Sequence, residues 1–135
     1  ELLHGDAMLL DVAGRQALLT QRLSFLACKK WSGAGNDAYD ELLRAETAQY
    51  IFGFEALLNG APQLGISAPP NAEIANALGS INADFSVVKT KLNALIETQS
   101  LERDQVGELY RLLSSKMVQM EGVSQLYANH AKRIY

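Results

Sequence analysis

The feature that most limits the possible folds is a run of apolar residues between positions 74 and 95, spaced alternately by three and four. This spacing returns to the same side of an α-helix every seven residues, so it predicts a long helical segment with one apolar side. No part of the 135-residue chain shows the period of two that a half-buried strand requires. The chain is therefore predicted to be all-α. The apolar run consists of Ile74, Leu78, Ile81, Phe85, Val88, Leu92 and Leu95.

Three further helices are predicted from similar patterns and from the residues that separate them. Helix one covers about Leu2 to Trp31, helix two runs from near Asp37 to Asn59, and helix four follows a short break near Thr98 to Ser100. All three prolines fall between Gly60 and Pro70, the longest predicted loop, and Asn71 is predicted to cap helix three. Four amphipathic helices with mostly short connections predict an up-down-up-down antiparallel four-helix bundle. Both termini would then lie at the same end of a single domain that covers residues 1–135.

The predicted core positions of the other helices follow the same three- and four-residue steps. In helix one the series is broken only by Gly5 and Gln16. The predicted core residues are Leu2, Leu9, Val12, Leu19, Leu23 and Leu26 in helix one; Leu43, Thr47, Tyr50, Phe54 and Leu57 in helix two; and Val106, Tyr110, Leu113, Met117, Met120, Ser124, Tyr127, Ala131 and Ile134 in helix four.

The composition excludes several classes of function. The formal net charge of −3 provides no basic face for nucleic acid, and a single cysteine, Cys28, excludes internal disulfides and multi-cysteine metal sites. No apolar run approaches the roughly 18 residues that a membrane-spanning helix needs. No spacing of nucleophile and base, metal ligands or phosphate-binding glycines is present, so a non-enzyme without metal or cofactor is predicted. Because the helical pattern reaches both ends without capping signals, we expect a domain excised from a larger protein.

The segment from Asp11 to Leu23 is unusual for a helix that only packs. Gly14 costs about 1 kcal/mol relative to alanine inside a helix, so we expect another backbone or a ligand to approach it closely. Arg15 and Arg22 lie seven residues apart and share one helix face, and a guanidinium group donates two parallel hydrogen bonds to a planar oxyanion. The candidate ligand-binding residues are therefore Asp11, Gly14, Arg15, Leu18 and Arg22.

Positions 11–22, Asp-Val-Ala-Gly-Arg-Gln-Ala-Leu-Leu-Thr-Gln-Arg, resemble the first-helix motif of the PilJ/NarX-type sensor domain, roughly Asn-x-x-Gly-(Arg/Lys)-x-Arg-Met-Leu-Ser-Gln-Arg. A weaker similarity covers Glu46 to Gly60, and the four-helix layout extends the resemblance over the whole chain. The resemblance implies an extracytoplasmic small-ligand sensor domain of a bacterial transmembrane chemoreceptor or sensor kinase, located in the periplasm with flanking transmembrane helices. It also implies a homodimer through helix one, a small anion at the dimer interface with nitrate as the first candidate, and signalling by helix displacement.

Two positions depart from the family pattern. Asp11 stands where the family has asparagine, and Ala17 stands where the nitrate kinases have the arginine that contacts nitrate. Position 17 lies about 200° around the helix from Arg15. An anion held by Arg15 and Arg22 would therefore not copy the geometry of the nitrate kinases.

Three alternatives remain open from the sequence. Arg15 can pair with Asp11 on the same helix, and Arg22 can pair with an acidic residue of another helix. Met8 and His130 are a candidate axial pair for haem in a small electron-transfer bundle. The third alternative is a bundle without ligand that dimerises or binds another protein.

Overall fold

The structure is a computed structural model that describes residues 4–32, 37–98 and 102–134. Within these ranges there is no β-strand, only an isolated backbone bridge in the loop after the second helix. The predicted all-α class is therefore confirmed. The predicted turn at 33–36 and the predicted break at 99–100 lie outside the described residues. The helices are α1 (His4–Ser32), α2 (Asp37–Asn59), α3 (Ala72–Asn82), α4 (Phe85–Thr98) and α5 (Arg103–Ile134), with a 3-10 turn at Pro62–Leu64.

The apolar run between residues 74 and 95 forms the inner side of α3 and α4, and all seven of its side chains are buried. The predicted core residues of α2 are buried as well. In α5 the prediction is wrong at Tyr110, which is exposed, and at Met117 and Ser124, which are only half-buried. The inward positions of those turns are taken by Leu109, Lys116 and Val123. The inward series of α5 consists of Val106, Leu109, Leu113, Lys116, Met120, Val123, Tyr127 and Ala131.

The predicted third helix is divided in two by a short break before Phe85. In this break Asp84 forms an ion pair with Lys116 of α5, and the Lys116 ammonium also donates to Gln119 Oε1 at 3.0 Å. Lys116 is only 2% exposed, so its charge needs partners inside the fold. The break brings a carboxylate to that charge, while the buried apolar series continues on both sides of it. The heptad pattern alone therefore did not reveal the interruption.

The long helices pack side by side. α1 packs mainly against α2 and α5, and α3 and α4 pack against the same two helices. Arg22 pairs with Glu46, and Lys30 pairs with Asp40 at 2.7 Å, so α1 and α2 run antiparallel. No helix within the described ranges is both long and apolar enough to cross a bilayer.

The chain reverses direction immediately after α2. Gly60 has a φ of 81°, a left-handed conformation that glycine adopts without strain. Two backbone hydrogen bonds between Ala61 and Ile66, at 2.7 and 3.1 Å, then close a tight loop that folds back toward α1. Before α3, the side chain of Asn71 accepts a hydrogen bond from the N–H of Ile74 at 2.9 Å, which confirms the predicted cap.

Candidate ligand-binding site

The outer face of α1 carries an exposed stripe that contains most of the residues singled out from the sequence. The side chains of Leu18 and Phe25 are 52% and 54% exposed. When several exposed apolar side chains lie together, they indicate a surface that contacts another protein or a ligand. We call this surface the α1 stripe, and it consists of Asp11, Arg15, Leu18, Arg22 and Phe25.

Arg15 is paired within its own helix. Its Nη2 atom lies 3.3 Å from Oδ2 of Asp11, and both side chains are about two-thirds exposed. An exposed ion pair of this kind contributes about 0.2–1 kcal/mol to stability. Arg15 therefore has its guanidinium largely in solvent and gives up little when it exchanges Asp11 for another anion.

Arg22 is committed to the fold much more strongly. It pairs with Glu46 of α2, whose side chain is only 6% exposed. A buried carboxylate without a counter-charge is costly, so drawing Arg22 away toward an external anion carries a larger penalty than drawing Arg15 away. Both ion pairs left open from the sequence are thus present, but only the pair of Arg15 is weak.

Gly14 has no unusually close neighbour among the described residues, and Ala17 packs against the core. A Cβ atom added at Gly14 would lie 3.9 Å from Oγ of Ser124, an ordinary contact distance. The close approach that was expected to explain this glycine is therefore not supplied by α5. Ala17 is partly buried against the core, so position 17 does not belong to the α1 stripe.

A groove lies beside the α1 stripe, between α1, α2 and the 61–66 loop, with a volume of about 310 Å³. We call it the α1–α2 groove. Asp11 and Arg15 belong to both surfaces, so the two are continuous. The groove is lined by Met8, Asp11, Val12, Arg15, Gln16, Leu19, Gln49, Phe52, Gly53, Ala56, Leu64 and Ile66.

Gln16 and Gly53 are the two groove residues whose role the sequence analysis missed. Gln16 is buried, and its Oε1 atom has no hydrogen-bond partner among the residues that the structure describes. Leaving such an acceptor unsatisfied costs about 1–3 kcal/mol. A Cβ atom at Gly53 would overlap the amide group of Gln16, so glycine at position 53 makes room for that amide. The signals available in the sequence were a polar residue in the core series of helix one and a glycine within helix two.

The proposed haem ligands lie in different surroundings. Met8 lines the α1–α2 groove, where its sulfur would be 3.7 Å from a Cβ atom at Gly65. His130 is partly buried on α5 and is not one of the groove-lining residues. In the part of the chain that the structure describes, no cluster of three or more histidine, cysteine or acidic side chains is arranged to hold a metal ion.

Comparison with known proteins found a likeness in fold to a solved structure. The sequence matches no protein-family model, and no curated protein matches it. A solved structure that it resembles is the ligand-binding domain of the P. aeruginosa nitrate receptor McpN. The two share 20% sequence identity with a TM-score of 0.73 over 90% of this chain and 94% of the other. At this identity the likeness establishes a shared fold.

Proposed function

We propose that this chain is a small-ligand sensor domain of a bacterial transmembrane receptor, either a chemoreceptor or a sensor kinase. The observation that carries the proposal is the near-complete structural match to the ligand-binding domain of a receptor. The exposed α1 stripe gives this fold a surface for recognition on the helix that carries the sequence motif. In this role the domain lies in the periplasm, and transmembrane helices flank it in the full receptor.

The helix contacts support the bundle arrangement that such a receptor needs. On α1, Gly14 faces Ser124 of α5, whereas Phe25 shares a surface hollow with Tyr110. Residue numbers therefore rise along α1 as they fall along α5, and α1 is also antiparallel to α2. If α3 and α4 are counted as one helical segment, these directions correspond to an up-down-up-down four-helix bundle with both termini at one end.

The proposed dimer forms through α1. Phe25 and Leu18 are exposed on the α1 stripe, and two further exposed apolar side chains lie beside them, Leu42 on α2 and Tyr110 on α5. Apolar side chains of two copies would be removed from water by packing these surfaces together, which favours association. A two-fold axis beside the stripe would also place two copies of Arg15 in one site.

A small anion, with nitrate as the first candidate, is the proposed ligand at this axis. Arg15 is the better anion-binding residue of the two arginines because its pair with Asp11 is weak, whereas Arg22 neutralises the buried Glu46. The nitrate candidate comes from the family resemblance and from the likeness in fold to the ligand-binding domain of the nitrate receptor McpN. The alanine at position 17 means that the anion would be held differently from the way it is held in the nitrate kinases.

Signalling follows if the anion binds two packings of the helices with different affinity. A ligand shifts an equilibrium only by the difference between its affinities for the two states. Binding between two copies of α1 would change their separation, and the ends of α1 and α5 would pass that displacement to the flanking segments.

The dimer is tested by sedimentation equilibrium on the purified domain. Phe25→Glu places a charge on the exposed stripe and is expected to convert dimer to monomer. Val87→Glu is the matched control because Val87 is an exposed apolar residue of α4 and is not part of the proposed interface. A wild-type domain that is monomeric at every concentration would contradict the proposed interface.

The ligand is tested by thermal shift with sodium nitrate against sodium chloride at equal ionic strength. A ligand at 100 times its dissociation constant adds about 2.7 kcal/mol, which is several degrees for a domain of this size. Arg15→Ala is expected to abolish the shift, and Arg44→Ala, an exposed arginine of α2, is expected to keep it. A dimer that responds to no anion, organic acid or amino acid would favour the ligand-free interaction bundle instead.

A further inference from the structure

The α1–α2 groove has an apolar wall that is built from three parts of the chain. Leu19 comes from α1, Ala56 from α2, and Leu64 and Ile66 from the loop that folds back over them. Phe52 stands at the edge with most of its ring in solvent. A molecule with an apolar group would cover this ring and the exposed Leu64 on entering the groove.

The same groove carries one charge of each sign. Asp11 and Arg15 both line it, and their mutual ion pair is exposed and weak. A ligand with an ammonium and a carboxylate group can replace that pair by two complementary pairs, one with each residue. An anion alone satisfies only Arg15, and an amine alone satisfies only Asp11.

Gln16 supplies an independent sign that the groove receives a hydrogen-bond donor. Its buried Oε1 atom is unpartnered within the described residues, and the side chain lines the groove. Gly53 makes room for this amide, because a Cβ atom at position 53 would overlap it. An N–H group on a bound molecule would satisfy the oxygen.

We infer that the α1–α2 groove binds an α-amino acid with an apolar side chain, within a single copy of the chain. The volume of about 310 Å³ lies at the small end of the range of small-molecule pockets and suits a ligand of this size. The ammonium pairs with Asp11 and Gln16, the carboxylate pairs with Arg15, and the side chain packs against the apolar wall. The inference rests on the proposed sensor function but assigns Arg15 an amino acid in place of the anion at the dimer axis, and its site does not need the dimer.

Isothermal titration calorimetry with L-leucine and L-phenylalanine tests the ligand class. Isocaproate and isoamylamine are the matched probes, because each keeps the apolar part of leucine and lacks one of its two charged groups. We expect at least one amino acid to bind, and we expect isocaproate and isoamylamine to bind at least 10-fold more weakly than L-leucine. Equal binding of isocaproate and L-leucine would overturn the role of Asp11 and Gln16.

Two variants test the site. Gly53→Ala forces the Gln16 amide to move, and Phe52→Ser removes an exposed part of the wall without touching the core, so it remains informative if the first variant does not fold. Both variants are expected to bind L-leucine at least 10-fold more weakly than the wild type. Gly122→Ala is the control, because no described atom lies within 4 Å of a Cβ at that helical glycine. Unchanged affinity in Gly53→Ala and Phe52→Ser would overturn the site.

The groove and the dimer site are separated by the monomeric variant Phe25→Glu. If L-leucine binds it as well as it binds the wild type, the ligand lies within one chain, as inferred. If binding disappears together with the dimer, the sensor function stands and the groove assignment is wrong. If nitrate stabilises the domain and no amino acid binds, the groove inference fails alone. If nothing binds, both proposals fail.

Discussion

The ion pair between Asp84 and Lys116 predicts a strong asymmetry between its two members. The Lys116 side chain is 2% exposed, whereas the Asp84 side chain is 42% exposed. Lys116→Met removes the buried charge and leaves a carboxylate on a side chain that is partly exposed to water. Asp84→Asn removes the counter-charge and leaves the ammonium buried, and asparagine keeps the ability to cap a helix, so the change isolates the charge.

The size of the asymmetry follows from the two exposures. Removing one member of a fully buried pair costs about 3–5 kcal/mol. For Asp84→Asn we expect about 2–4 kcal/mol, since the new amide and Gln119 still offer oxygen acceptors to the ammonium. For Lys116→Met we expect a change within about 1 kcal/mol of zero, because apolar replacement of a buried charge is often neutral. At roughly 4 °C per kcal/mol for a chain of this length, the two melting temperatures should differ by about 10 °C.

Urea unfolding followed by circular dichroism measures both variants, and thermal melts provide a second estimate. The double variant should return close to the stability of Lys116→Met alone, because no buried charge is then left without a partner. The reasoning is refuted if Lys116→Met is as destabilising as Asp84→Asn, or if the double variant shows the sum of the two losses.

Three further predictions concern single positions. Gly14→Ala should raise the stability of the monomer by up to about 1 kcal/mol, since Ser124 leaves room for a methyl group; a simultaneous loss of dimer in sedimentation would show that the partner copy needs the glycine. Burial raises the pKa of Tyr127 from 10.0 to about 12, so its contribution to stability is complete below pH 10 and is lost as the pH rises toward 12. Tyr127→Phe should reduce that alkaline loss in unfolding experiments at several pH values. Asn71→Ala should cost about 1 kcal/mol by removing the acceptor for the N–H of Ile74, and an unchanged urea midpoint would contradict that role.

The apolar spacing predicted the helices well because burial follows helical periodicity directly. The run from Ile74 to Leu95 is buried at every predicted position, and the cap at Asn71 is present. The break before Phe85 was not predicted, because the apolar series continues across it and Lys116, the partner of Asp84 at the break, lies 32 positions away in the sequence. Tyr110 was misplaced because two inward series fit the sequence of α5, and packing selected the one with Leu109.

The candidate site was predicted in part. The exposed face of α1 follows from helical geometry, so Asp11, Arg15 and Leu18 lie together as expected. The ion pair between Arg22 and Glu46 was left open, since the sequence of one helix does not determine its register against another helix. The groove was not predicted, because it arises where Gly53 of α2 meets α1 beneath a loop, and no single segment shows that meeting.

The break between α3 and α4 also gives the molecule sides of unequal stiffness. α1 and α5 are uninterrupted over 29 and 32 residues, about 43 and 48 Å at 1.5 Å per residue. The α3–α4 segment instead contains a break at residues 83–84, where the helix is interrupted and Asp84 pairs with Lys116 of α5. We therefore expect the bundle to bend mainly at this break, while α1 and α5 move as nearly rigid helices. We therefore expect a displacement at one end of α1 or α5 to be transmitted along the whole helix to its other end.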